Sequence, residues 1–147
     1  MKLPIKILDT RLNEFPLTYA TEGSVGFDLR ACIDSPYNIS PGETYKISAG
    51  FATAVPPGYG MFVIPRSGKG SQGLVLGNGT GLIDIDYRGQ VHIPIWNRTF
   101  GEIFKIEPMK RIVQAYIAPI VQVQFEVVDD LEETARGEGG FGHSGHL

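Results

Sequence analysis

Glycine and proline set the terms on which this chain can fold. Nineteen glycines and ten prolines are scattered through 147 residues, so hardly any segment sustains several helical turns before a breaker interrupts it. Long helices are not expected, and the apolar residues must be buried by strands. Short β-favouring runs lie between the breakers at Thr44 to Ser48, Gly50 to Val55, Met61 to Ile64, Gln90 to Trp96, Ile103 to Ile106, Arg111 to Ile117 and Val121 to Val128. The last alternates cleanly, with Val121, Val123, Phe125 and Val127 set against Gln122, Gln124 and Glu126, the pattern of a strand with one covered face. Ser40-Pro41-Gly42, Val55-Pro56-Pro57-Gly58 and Gly77-Asn78-Gly79 separate the runs at hairpin or corner intervals. These features predict an all-β, single-domain antiparallel sandwich of jelly-roll character, with brief helical turns at Ser67 to Gly73 and Asp129 to Thr134.

The length suits one ordinary domain with a real core. A net charge of −3 and a pI near 5.6 lack the basic footprint of a protein that grips duplex nucleic acid. The single cysteine, Cys32, excludes an intramolecular disulfide and a cysteine-based zinc cluster, and reads as a small buried hydrophobe. The first residues show neither a long apolar core nor a small-residue cleavage site, and no window approaches the ~18 apolar residues needed to span a membrane. The expected setting is the cytoplasm, without a membrane partner.

The run Gly81-Leu82-Ile83-Asp84-Ile85-Asp86-Tyr87-Arg88-Gly89 is the most informative stretch for chemistry. Acids spaced i, i+2 between isoleucines and framed by glycines fit a short β-hairpin. In an extended strand Asp84, Asp86 and Arg88 share one face, and Ile83, Ile85 and Tyr87 the other. Such crowding can keep one carboxylate ionised as a base; on these residues alone, an exposed turn with solvated acids is the simpler reading. From Arg136 the chain reads Gly-Glu-Gly-Gly-Phe-Gly-His-Ser-Gly-His-Leu, with almost nothing to fill a core. Composition makes it a mobile tail, or a loop whose amides wrap phosphate oxygens.

Five separated segments, taken in order, resemble the motifs of the trimeric deoxyuridine triphosphatases. They are Ser24-Val25-Gly26-Phe27-Asp28-Leu29-Arg30-Ala31, Pro65-Arg66-Ser67-Gly68, Gly81 to Gln90, Arg111-Ile112-Val113-Gln114, and Arg136 to Gly145. The likeness runs from about Pro16 to His146. It implies a homotrimer, with a catalytic domain over residues 1–134 and a glycine-rich arm over 135–147 that closes an active site at a subunit boundary. The implied reaction is hydrolysis of dUTP to dUMP and pyrophosphate with Mg2+ on the triphosphate, which limits uracil in DNA and supplies dUMP for thymidylate synthesis.

By that resemblance Asp84 is the general base and also contacts the sugar 3′-hydroxyl. Tyr87 lies under the deoxyribose and leaves no room for a 2′-hydroxyl. Asn78 and Gly81 belong to the uracil pocket, where main-chain groups and an amide match the base edge. Arg66, Ser67, Gly68, Gln114 and Arg136 hold phosphates, followed by Gly142, His143 and Ser144 of the arm, and Phe141 stacks on uracil. Asp28 stands near metal-bound water; without the resemblance it reads as a turn cap. Asp86 and Arg111 are expected to form a structural pair, His92 to be packed or superficial, and Trp96 and Phe62 to be core or interface aromatics. His143 and His146, three apart in the tail, are not expected to chelate a metal.

Two departures stand out. Met109-Lys110 precede Arg111 where the family usually has Gly and an acid, and Lys69 follows Pro-Arg-Ser-Gly where an aliphatic residue is usual. Two other readings remain: a dCTP deaminase of the same fold, and a non-catalytic nucleotide-binding relative.

Overall fold

The computed structural model describes residues 1–140. Its strands, in chain order, are β1 (Ile5–Ile7), β2 (Phe27–Arg30), β3 (Tyr37–Ile39), β4 (Thr44–Thr53), β5 (Tyr59–Pro65), β6 (Leu74–Leu76), β7 (Gly81–Ile83), β8 (Gln90–Asn97), β9 (Phe104–Ile106) and β10 (Arg111–Pro119), with one short helix, α1 (Ser67–Ser71), between β5 and β6. They form two four-stranded antiparallel sheets, ordered β1-β4-β8-β6 and β2-β10-β5-β7, and a small β3-β9 pair. This is the expected all-β jelly-roll fold.

Period-two patterning decides which side chains meet between the sheets. On β8, Val91, Ile93, Ile95 and Asn97 are buried while His92 and Trp96 face outward. Ile47, Ala49 and Phe51 of β4 join them from one sheet, and Leu29, Met61, Val63, Val113 and Ala115 from the other, in a single apolar cluster. Trp96, 38% exposed, is not part of that core. Phe62 is half-buried and stacks on Tyr116 at 5.2 Å. Cys32 is buried, as expected.

The two expected runs Thr44–Ser48 and Gly50–Val55 fuse into the single strand β4. The pairing to β8 passes from Ser48↔His92 to Ala52↔Gln90, so β4 carries extra residues that must bulge. Gly50 takes φ +80° there, a conformation that favours glycine.

Two expectations for the segment 121–134 fail. Residues 121–128 form no strand, and Val121, Phe125 and Val127 are 88%, 91% and 98% exposed. Their alternation supplies an apolar face, but a strand also needs a neighbour for its hydrogen bonds, and no strand of the described chain runs beside them. Asp129 to Thr134 likewise makes no helical turn; its acids lack an apolar stripe to pack.

The Gly81–Gly89 run is not a hairpin either. β7 pairs with β5, a turn follows in which the Tyr87 N–H donates to the Asp84 carbonyl at 3.3 Å, and β8 then enters the other sheet. The run is a crossover between layers. Nor do its charges crowd. Asp84, Asp86 and Arg88 are exposed, and Arg88 Nη1 donates to the carbonyls of Ile85 and Tyr87, with no ion pair to either acid among the described residues.

The Met109 departure preserves a sharp turn. Met109 adopts φ +58°, the Lys110 N–H donates to the Glu107 carbonyl at 3.2 Å, and the Met109 N–H to that of Ala31 at 2.7 Å. A left-handed non-glycine residue costs ~1–2 kcal/mol, and here burial of the Met109 side chain, 8% exposed, offsets it.

Candidate active site

Three strands of one sheet converge on the main cleft. Asp28 on β2 lies opposite Gln114 on β10, which in turn lies opposite Ile64 on β5. β5 ends at Pro65, whose fixed φ and missing N–H end the ladder, and Arg66 leads into α1. That helix is a single glycine-rich turn, Ser-Gly-Lys-Gly-Ser, too short to bury an apolar stripe. Between these elements lies a cleft of about 660 Å3, lined among others by Gly26, Asp28, Arg66, Ser67, Gly68 and Gln114.

Asp28 organises the cleft. One carboxylate oxygen takes Arg66 Nε at 2.7 Å and the other takes Arg111 Nη1 at 3.1 Å. Arg66 is thereby held by its Nε edge, which leaves its two Nη groups to donate elsewhere. Gln114 Nε2 donates to the Pro65 carbonyl at 3.1 Å, fixing the amide beside the Arg66 turn. Gly26 permits this packing: a Cβ there would stand 3.1 Å from Gln114 Oε1 and 3.2 Å from the Ala115 carbonyl oxygen. The wall offers a guanidinium, an amide, the Ser67 hydroxyl and the leading amides of α1, a donor set for a polyanion. Arg111 pairs with Asp28 and not with Asp86, correcting the expected pair. That contact spans 83 positions and follows from strand register, which local sequence does not encode.

A second group clusters around β7. A Cβ on Gly81 would meet Val63 Cβ at 3.1 Å and lies 3.8 Å from Asn78 Nδ2, so Asn78 and Gly81 are neighbours with backbone close at hand. Asp84 borders a concavity of about 160 Å3 with Tyr59, Phe62, Leu82 and Ile120. The Tyr87 hydroxyl donates to the Gln90 carbonyl at 2.8 Å. Its ring lies over Gly89, where a Cβ would fall 2.5 Å from the phenolic oxygen. Tyr87 is thus pinned in place although 41% exposed.

The two groups stand apart in one chain. Pairing of Met61 with Ile83 sets Asp84 level with Gly60, five residues before Pro65, a separation of about 17 Å at ~3.4 Å per residue. One chain does not bring Asp84 to Arg66.

Arg136 sits in an exposed turn, where its Nε donates to the Gly139 carbonyl at 2.7 Å, and it lines neither concavity. Phe141, Gly142, His143 and Ser144 lie outside the described residues, as does His146. No group of three or more His, Cys, Asp or Glu capable of holding a metal occurs among the described residues. Asp28 has both oxygens ion-paired, so its geometry suits contact through water with a hydrated cation on phosphate oxygens, and not direct ligation. Sequence reasoning missed Arg111 as the partner of Asp28, and Gln72 as part of the cleft wall.

Comparison with known proteins fits this arrangement. The dUTPase family model matches residues 15–145. Deoxyuridine 5'-triphosphate nucleotidohydrolases of Burkholderia ambifaria and Paraburkholderia xenovorans are 50% and 51% identical to this chain, covering 99% of it and 99% of each relative. The solved dUTPase of Staphylococcus bacteriophage 80alpha with dUPNHPP has a TM-score of 0.85 and 26% identity, covering 99% of both chains. A strand sandwich, a clamped arginine at the foot of a glycine-rich turn and a carboxylate on an exposed crossover accompany a match that runs nearly end to end, and the chain belongs to the dUTPase family.

Proposed function

We propose that this protein hydrolyses dUTP to dUMP and pyrophosphate, as a homotrimer whose active sites form where chains meet. The observation that carries the reading is the clamped Asp28–Arg66 pair with Gln114 in a polyanion-sized cleft, in a chain about half identical over its full length to dUTP nucleotidohydrolases. The separation of Asp84 from that cleft supports the trimer, because a base and a phosphate clamp about 17 Å apart can serve one triphosphate only if they come from different subunits. The exposure of Val121, Val123, Phe125 and Val127 supports it too, since a sister chain covers such apolar side chains at little cost.

In the assembled site Arg66, Ser67, Gly68 and Gln114 hold the triphosphate and Asp84 of another subunit accepts a proton from water. The oxygen of that water attacks the α-phosphorus and the bond to the bridging oxygen breaks, releasing pyrophosphate. Asp28 would hold a hydrated Mg2+ through water beside the phosphates, where the ion would supply neutralisation of phosphate charge. The pinned Tyr87 ring blocks a 2′-hydroxyl, and Asn78 with the Gly81 backbone reads uracil. The arm of residues 135–147, through Arg136, Phe141, Gly142, His143 and Ser144, closes the chamber and excludes water. No helix of the described residues is long and apolar enough to cross a membrane; we assign the protein to the cytoplasm.

The test is pyrophosphate release from purified protein and Mg2+ given dUTP, TTP, dCTP or UTP separately. Selective cleavage of dUTP is expected. Ammonia from dCTP, or no turnover of any of the four, defeats the reading, and comparable cleavage of UTP removes the role given to Tyr87.

A further inference from the structure

The charged side chains lining the large cleft are Asp28, Arg66 and Lys69. Asp28 is shared by Arg66 and by Arg111 behind it, so the wall is net positive, and Lys69 is the lining cation that stands outside that cluster. Among the described residues Lys69 has no carboxylate partner; its Nζ donates to the neutral Gln72 Oε1 at 3.4 Å, within the same wall. Lys69 lies on α1 and is half-buried as a residue, and its contact with Gln72 is exposed, an arrangement amphipathic side chains favour. A compact cation on a flexible four-carbon stem can follow a ligand whose phosphates move during reaction. A triphosphate and a pyrophosphate concentrate negative charge as no other part of a nucleotide does.

We propose that Lys69 is a substrate-binding residue of this chain, an electrostatic ligand for the phosphates beyond the α position and for the pyrophosphate product. The inference rests on the dUTP reading above and adds to it a contact carried by a residue that departs from the usual family pattern. Being a charge contact across solvent, it must fade with salt as the Debye length shrinks. It must also distinguish ligands by phosphate number: dUMP, which lacks the outer phosphates, should be indifferent to it.

The experiment compares the full-length protein with its Lys69→Leu, Lys69→Gln and Lys69→Arg forms by calorimetric titration of dUPNHPP, pyrophosphate and dUMP at low and high salt, with Mg2+ held constant. At ~0.05 M salt, loss of the charge should weaken dUPNHPP and pyrophosphate about fivefold, and at ~0.5 M salt less than twofold. Lys69→Arg should retain most of the affinity, and dUMP should bind all four forms alike. Thermal melting checks that the variants stay folded. Equal binding of dUPNHPP by Lys69→Gln and the parent at low salt overturns the proposal, as does an equal loss for dUMP. A parent protein that turns over dUTP while Lys69→Gln binds normally defeats this inference alone; a parent that neither binds dUPNHPP nor cleaves dUTP defeats the dUTP reading with it.

Discussion

Replacing Gly50 by alanine tests how the fold supports the site. Gly50 sits in the β4 bulge with φ +80°, where an added Cβ would stand 2.5 Å from Cys32 Sγ and 3.0 Å from both Asp9 Cβ and Leu12 Cδ1. Leu12 and Cys32 are 1% and 8% exposed, so neither can swing into solvent. The left-handed backbone costs alanine ~1–2 kcal/mol and overpacking a further ~1–3 kcal/mol. Reduced unfolded-state entropy returns ~0.4–1 kcal/mol. A net loss of about 2–4 kcal/mol is expected, or roughly 5–15 °C in Tm for a domain of this size.

The clash and the backbone strain can be separated. In a Cys32→Ala background the sulfur is gone while φ is unchanged, so Gly50→Ala should cost about 1–2 kcal/mol less there than in the parent. Denaturant melts of the four proteins at one protomer concentration give the coupling, the fixed concentration mattering because the proposed assembly would contribute to stability. Equal costs in both backgrounds would refute the packing argument, and a cost below about 1 kcal/mol would refute the strain argument as well. The bulge also reaches the site. The Gly50 N–H and Gln90 Nε2 both donate to Ser48 Oγ, and the carbonyl of the same Gln90 anchors Tyr87, so a surviving Gly50→Ala protein should discriminate less sharply against UTP.

Asp84→Asn should lower kcat by ~10²–10⁴ while leaving dUPNHPP binding largely in place; parent-like pyrophosphate release would remove Asp84 as base. A chain ending at Thr134 should melt as the parent does yet lose nearly all turnover, as steady-state assay and calorimetry of the same sample can show. Asp28→Asn should raise KM for dUTP about five- to thirtyfold, because Arg66 and Arg111 lose a charge-assisted anchor and are left facing each other; an unchanged KM would mean that Arg66 needs no clamp. Burial, with the Asp9 carboxylate beside it, pushes the Cys32 thiol up to about 11. The unfolded chain releases that proton first, near pH 8.5, so the stabilisation is fully present below that pH and is lost as pH rises towards 11. Cys32→Ala should flatten this alkaline limb in denaturant melts taken at successive pH values.

Four of the strands, β4, β5, β8 and β10, were legible as long β-favouring runs whose partners belong to the same chain, and the three-residue β9 also falls within an expected run between Gly101 and Pro108. The strands β1, β2, β3, β6 and β7 span only three or four residues each, too few to show a period. The cleft wall was legible in part, since Arg66, Ser67, Gly68 and Gln114 sit in local patterns and line one cleft. The Arg111–Asp28 contact was not, because it depends on which strands β10 chooses as neighbours.

The expectations that failed have a common physical root. Alternation along residues 121–128 records that one face must be covered, and the glycine-framed acids of 81–89 record that charges must be presented; neither pattern says which chain completes the arrangement. Read within one chain, the first became a strand with no neighbour and the second a hairpin with its charges crowded. In one chain the first is exposed and the second is an exposed crossover, with Asp84 about 17 Å along β5 from Arg66. A segment shaped for contact with another copy carries strong local patterning and weak local structure. On the proposed trimer reading, the mismatch between the two is expected to mark the surfaces through which chains would meet.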